Sequence, residues 1–281
     1  MEEVNWSSIQ FAGGSTPHAQ YGIVCLFTEV YMKSKWTTFW IFLAPLLTAC
    51  VPNSFSMTTT PAPPQPTAAS RTISFTTPDN ATLEGTLYGS GEIAVIFSVM
   101  GNCKRGWEET ADLVAQHGMV ALTYQWRGCR GSGTVDNNEI KKFVDDLGGA
   151  IQFMRSQGAQ KIILVGASLG GVASAKLAAE SKASGLIVIA SPSEIPDWGF
   201  KIESADMNTD IPKLFITAEN DDTVPASKTR ALYDLAAEPK EWQTYPGTAH
   251  GTDLFETESK EDLQKRILNF ILAVASTRQP V

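Results

Sequence analysis

Histidine is scarce in this chain of 281 residues: there are three, His18, His117 and His250. Any reaction that needs a base near neutral pH has few residues to draw on. Basic charge is short as well. Lysine and arginine total 22 against 30 acidic residues, a formal charge of −8, which leaves no cationic footprint for nucleic acid. Four cysteines, Cys25, Cys50, Cys103 and Cys129, lie far apart, and no cysteine–histidine cluster offers a metal site. No apolar run reaches the ~20 residues that a membrane-spanning helix needs. What is present is ordinary globular composition, 43% hydrophobic, with length for one large domain or two small ones.

From Met32 the chain reads MKSKWTTFWIFLAPLLTACVPNS. Lys33 and Lys35 precede an apolar run from Trp36 to Leu47, which Pro45 interrupts and small residues end. That order is the pattern of a secretory signal peptide, assigned here to residues 32–49. The ending Leu47-Thr48-Ala49-Cys50 resembles the bacterial lipobox, in which cleavage precedes a cysteine that becomes lipid-modified. The resemblance implies lipidation of Cys50 and a membrane-anchored protein of the bacterial cell envelope, facing outside the cytoplasm. One acyl chain binds a membrane only marginally, so firm anchoring takes several. The alternative is a buried apolar helix that ends in cysteine. Residues 1–31 precede a natural start at Met32 and are expected to be an over-extended reading of the gene. Residues 50–70 are rich in threonine and proline; such a stretch cannot bury a core and reads as an extended spacer.

From Arg71 strand and helix patterns alternate. RTISF and TLEGTLY read as an antiparallel hairpin, followed by six further strands: EIAVIFS, VALTYQW, KIILVGA, GLIVIAS, KLFITAE and EWQTY. Continuous apolar runs such as KIILVGA mark strands buried on both faces. Helical patterns lie between them. EIKKFVDDLGGAIQFMRSQ is expected to be one helix, with Phe143, Leu147, Ile151 and Met154 on a shared face. The class is α/β: one doubly wound domain over residues 71–281, with a mostly parallel eight-stranded sheet.

Chemistry concentrates at Gly166-Ala167-Ser168-Leu169-Gly170, which matches G-x-S-x-G. A buried strand runs in and a small-residue helix runs out, the setting in which a serine is held on a sharp turn with its hydroxyl clear of the sheet. The competing reading is a small residue in a tight turn. His250 follows the last strand, at the sheet edge where ligands gather; His117 closes a helix before Gly118, where a cation suits the helix dipole. Between Ser168 and His250 the strand KLFITAE leads into Asp221 and Asp222. Either aspartate could orient an imidazole, and turn formation or helix capping would also explain either. The chain order Ser…Asp…His is that of a catalytic triad on an α/β sheet.

Taken together, these elements resemble the α/β-hydrolase superfamily, of the esterase or dienelactone-hydrolase kind, over residues 71–281. The resemblance selects Asp221, because an acid followed by two residues and Val-Pro is common in that family. It implies a serine hydrolase acting on small-molecule acyl esters without metal or cofactor. Ser168 would be nucleophile, His250 base and Asp221 the orienting acid. The family's oxyanion loop corresponds to SVMGNCKRGW, with Val99 in place of its usual histidine. Its backbone donors map to Leu169 and Gly101, with Met100 as the alternative to Gly101. YQWRGCRGSG resembles the family's D-x-R-G-x-G-x-S turn, with Gln125 and Arg130 as departures. Cys103 and Cys129 follow strands that are neighbours in the resembled fold, which implies a disulfide; two free thiols are the alternative. The interval Ala190–Pro212 has no room for a large lid domain, so the expected site is open and suited to short acyl chains. A small peptidase, or a surface lipoprotein that binds a ligand without catalysis, are the other readings.

Overall fold

The computed structural model of the protein describes residues 68–98, 101, 103, 106–129 and 136–277. The signal pattern, Cys50 and most of the spacer lie outside the described residues, as do His18, Val99, Met100 and Arg130. Among the described residues eight strands form one sheet. They are β1 (Ser70–Thr76), β2 (Thr82–Gly89), β3 (Ile93–Ser98), β4 (Val120–Tyr124), β5 (Lys161–Ala167), β6 (Gly185–Ile189), β9 (Lys213–Ala218) and β10 (Lys240–Tyr245). A separate two-residue hairpin, β7 (Glu194–Ile195) with β8 (Phe200–Lys201), lies between β6 and β9. The helices are α1 (Glu108–Gln116), α2 (Asn137–Ile140), α3 (Phe143–Ser156), α4 (Leu169–Leu177), α5 (Ser204–Met207), α6 (Ala226–Leu235) and α7 (Lys260–Ser276).

The sheet order is β1-β2-β4-β3-β5-β6-β9-β10. β2 runs antiparallel to β1 and β4, and every other pairing in the sheet is parallel. Burial follows that arrangement. All six residues of β9 and all five of β6 are buried, because helices cover both faces of the parallel part. β1 and β2 bury only Phe75, Leu83 and Leu87 and turn polar residues outward, as half-covered antiparallel strands do. No large lid follows β6; the interval holds the small hairpin and α5.

The long helix expected before β5 is broken. Asp136 caps α2 by accepting from the N–H groups of Asn138 and Glu139, and α3 restarts at Phe143. α3 is then tied down by tertiary contacts that helix periodicity does not contain. Asp146, fully buried in α3, accepts from the Arg127 backbone N–H at 2.9 Å and from Nε at 2.6 Å. The Arg127 guanidinium turns its other edge to Asp79, at 2.5 and 2.7 Å. One arginine thus ties the turn after β4 to α3 and to the β1–β2 connection.

The two carboxylates respond in opposite senses. The Arg127 hydrogen bond, with help from the Thr77 hydroxyl, holds Asp79 well below the ordinary value of 3.8. Burial raises Asp146, outweighing the bonds from Arg127. A depressed carboxylate stabilises the fold above its unfolded value, and that stability is lost as pH falls through the folded value. Asp146 contributes the opposite slope, since protonation relieves a buried charge. Stability is therefore expected to decline from about pH 4 downward, and the decline is expected to be shallower in Asp79→Asn. Urea midpoints of both proteins between pH 7 and pH 3 provide the check; parallel curves would assign the acid sensitivity elsewhere.

Candidate active site

Ser168 stands between β5 and α4 at φ 52°, ψ −119°. A side chain with a Cβ rarely takes that conformation, so surrounding structure must hold it. Its N–H donates to the Ile189 carbonyl at 2.8 Å. Its own carbonyl accepts from Gly171 and Val172 in α4, at 3.0 and 3.1 Å, and from the Ser191 hydroxyl at 2.8 Å. The turn is therefore clamped by its own helix and by the end of the neighbouring strand. Glycine is required on both sides. A Cβ on Gly166 would lie 2.2 Å from the carbonyl carbon and oxygen of Gly170, and one on Gly171 would lie 2.0 Å from Ser191 Oγ. Ser191 is completely buried. Nothing in the local sequence pattern marks it, because its partner is 23 residues away.

His250 and Asp221 meet at the ends of the last two strands. His250 Nδ1 lies 2.9 Å from Asp221 Oδ2 and 3.1 Å from Oδ1. The Asp221 side chain is wholly buried, and that of His250 is 11% exposed. Oδ1 also accepts from the N–H groups of Thr223 and Val224, at 2.9 and 2.8 Å, so the carboxylate is oriented before it reaches the imidazole. Asp222 is exposed, and its carboxylate accepts from the neighbouring Thr223 hydroxyl at 3.1 Å. The two loops are joined along their backbones. Beyond the β9–β10 ladder, Glu219 N–H reaches the Tyr245 carbonyl, Asn220 reaches Gly247 and Asp222 reaches Thr248, at 2.8, 3.0 and 3.3 Å.

The connection from β3 to α1 touches both halves of this arrangement. A Cβ on Gly101 would lie 3.3 Å from the Leu169 side chain, beside the serine turn. One on Gly106 would lie 2.8 Å from Thr252 Cβ, two residues past His250, and Trp107 packs edge-on against Phe255 at 5.5 Å. The Trp107 indole N–H donates to the Ser98 carbonyl at 3.0 Å, which fixes where that connection leaves β3. Leu169 opens α4, and the first N–H groups of a helix have no partner within it. Cys103 and Cys129 are joined by a disulfide. His117 stands apart at the C-terminus of α1, with its ring against the Leu113 carbonyl. A cavity of about 190 Å³ near Thr86, Thr123 and Gln125 is lined by none of Ser168, Asp221 and His250. The Gln125 Oε1 beside it is buried without a hydrogen-bond partner among the described residues, where the resembled turn carries an aspartate.

Residues 100–263 match the sequence model of the alpha/beta hydrolase family. The chain belongs to the α/β-hydrolase family. No curated protein matches it. Its fold is similar to that of an esterase from Pyrococcus furiosus, with 14% identity, 73% of this chain and 93% of that one covered, and a TM-score of 0.59. It is also similar to the esterase domain of a Rhodothermus marinus protein, with 19% identity, coverage of 72% and 100%, and a TM-score of 0.55. An alpha-beta serine hydrolase homologue from Coxiella burnetii aligns at 21% identity, coverage of 71% and 96%, and a TM-score of 0.55. In this α/β-hydrolase the strained serine, the buried aspartate and the histidine all follow carboxyl ends of parallel strands. That edge is where ligands enter such sheets.

Proposed function

We propose that this α/β-hydrolase cleaves small or short-chain carboxylic esters through an acyl-enzyme formed on Ser168. The observation that carries the reading is the His250–Asp221 pair. With Nδ1 engaged by the carboxylate, the neutral imidazole has Nε2 free to accept a proton. Ser168 Oγ attacks the acyl carbonyl as His250 takes its proton, and Asp221 stabilises the imidazolium that forms. The N–H groups of Leu169 and Gly101 receive the developing oxyanion, each worth about 3–4 kcal/mol of barrier. His250 then protonates the leaving alkoxide. Water, activated by the same imidazole, attacks the acyl-enzyme and releases the acid. The esterases of similar fold support ester bonds as the target. The absence of a large lid among the described residues supports an open acyl site.

On the same reading the domain is held at the cell envelope by lipidated Cys50. The Cys103–Cys129 disulfide suits an oxidising compartment.

A fluorophosphonate probe tests the proposal, because it reacts only with an activated serine. Labelling of the wild type at Ser168, lost in Ser168→Ala and His250→Ala, is the expected result. A correctly folded wild type that takes no label would replace the enzyme with a ligand-binding protein on a hydrolase scaffold. In a p-nitrophenyl ester series, kcat/KM is expected to peak at short acyl chains. A steady rise beyond octanoate would refute the open, short-chain site.

A further inference from the structure

We infer that the Cys103–Cys129 disulfide is a positioning element of the oxyanion hole, so that turnover depends on its redox state. The inference rests on the reading of Ser168 as nucleophile and Gly101 as oxyanion donor. Cys103 lies two residues after Gly101 and takes φ +62°, a left-handed conformation that a non-glycine residue holds only when its surroundings impose it. Gly101 in turn lies against Leu169, the first residue after the serine. The disulfide therefore acts two peptide units from one donor, which is itself in contact with the residue carrying the other.

The far end of the bond is anchored. Cys129 N–H donates to the Trp126 carbonyl at 2.9 Å, Trp126 is 1% exposed, and Arg127 is fixed to both Asp79 and Asp146. The bond spans 26 residues of sequence, from the β3–α1 connection to the turn after β4. It thus pins a loop that carries chemistry to a turn that carries none. Trp107 and Gly106 fix the other end of the same loop, against Ser98 and Thr252. Both cysteines are half-buried.

Opening follows ordinary exchange. A dithiol thiolate attacks one sulfur and the other leaves as thiolate; the second thiol of the reagent then closes on the mixed disulfide. The S–S bond is replaced by two S–H bonds, and the dithiol leaves as its cyclic disulfide. Cys103 is then free to leave its φ, and Gly101 is no longer held at one end. Loss of an oxyanion donor costs a factor of about 10²–10³, and a misplacement near 1 Å costs about 10². A loosened donor is expected to cost tenfold to a hundredfold, roughly.

The full-length protein is compared oxidised, reduced with dithiothreitol and alkylated, and as Cys103→Ser/Cys129→Ser. Peptide mapping establishes the state of each sulfur. Turnover of p-nitrophenyl acetate and inhibition by a phenylboronic acid are measured, since the tetrahedral boronate uses the oxyanion donors as the transition state does. Opening the bond is expected to lower kcat tenfold or more and to weaken boronate by the same factor. KM should stay within about twofold and near-UV circular dichroism should be retained. Reoxidation of reduced, unalkylated protein is expected to restore both. Unchanged kcat and boronate affinity with both sulfurs alkylated would overturn the inference. So would loss of activity that tracks loss of the near-UV signal, which would make the bond a support of the fold. Oxidised protein with neither turnover nor probe labelling would defeat the nucleophile reading, and this inference with it.

Discussion

Removing the Ser168 hydroxyl or the His250 imidazole is expected to lower kcat for an activated ester by about a millionfold. The more discriminating result is the double variant. If the serine attacks only as the histidine takes its proton, Ser168→Ala/His250→Ala has nothing further to lose and falls no lower than either single variant. Asp221→Asn is expected to cost about ten-thousandfold with KM nearly unchanged. Asparagine keeps the shape and can still accept from Thr223 and Val224, but it cannot stabilise an imidazolium. Asp222→Asn, on the exposed neighbour, is expected to leave kcat within a few-fold. Single-turnover kinetics with p-nitrophenyl acetate measure all five variants. Losses that add in the double variant would mean the serine and histidine do not work as one unit.

The second large effect is on stability. Arg127→Ala leaves the fully buried Asp146 carboxylate without its guanidinium, keeping only the backbone N–H of residue 127, and breaking a buried pair from one side costs about 3–5 kcal/mol. Asp146→Asn in the same background is expected to recover part of that loss, because the stranded charge is gone. Urea denaturation of the wild type, the single variants and the double variant closes the cycle. Simple additivity would deny that Arg127 and Asp146 act as a pair. The disulfide's anchor would be weakened along with the fold, so oxidised Arg127→Ala is also the variant in which Cys129 is least well held.

Most of the sheet could be read from the sequence because its central strands are buried on both faces and so write themselves as unbroken apolar runs. The β7–β8 hairpin could not, since strands of two residues have no periodicity to detect. The break between α2 and α3 was hidden for a different reason. Lys141 and Lys142 are good helix formers, yet the chain tightens there, with Lys142 N–H bonded to the Glu139 carbonyl at 3.0 Å, and no local pattern marks that turn. Asp221 and Asp222 were indistinguishable by spacing alone. What separates them in space is that the turn folds its N–H groups around one carboxylate and leaves the other in solvent. Ser191 escaped notice because it acts through a partner distant in the chain; Arg127 stood in the matched turn, but one sequence contains no trace of its pairing with Asp79 and Asp146. The serine turn was legible for the converse reason: its requirements are local, in Gly166 and in the strand that enters it.

The backbone bonds that continue from β9 and β10 into the loops carrying Asp221 and His250 bear on how this site can vary. An acid and a base on separate loops each bring an independent wobble, and their errors multiply at the serine. Here the two loops are stitched rung by rung, so the pair has the degrees of freedom of a single body. A length change in either loop alone would slip the stitching and separate acid from base. The same change made beyond it would leave them together. Variation in this molecule is thus channelled away from these two loops.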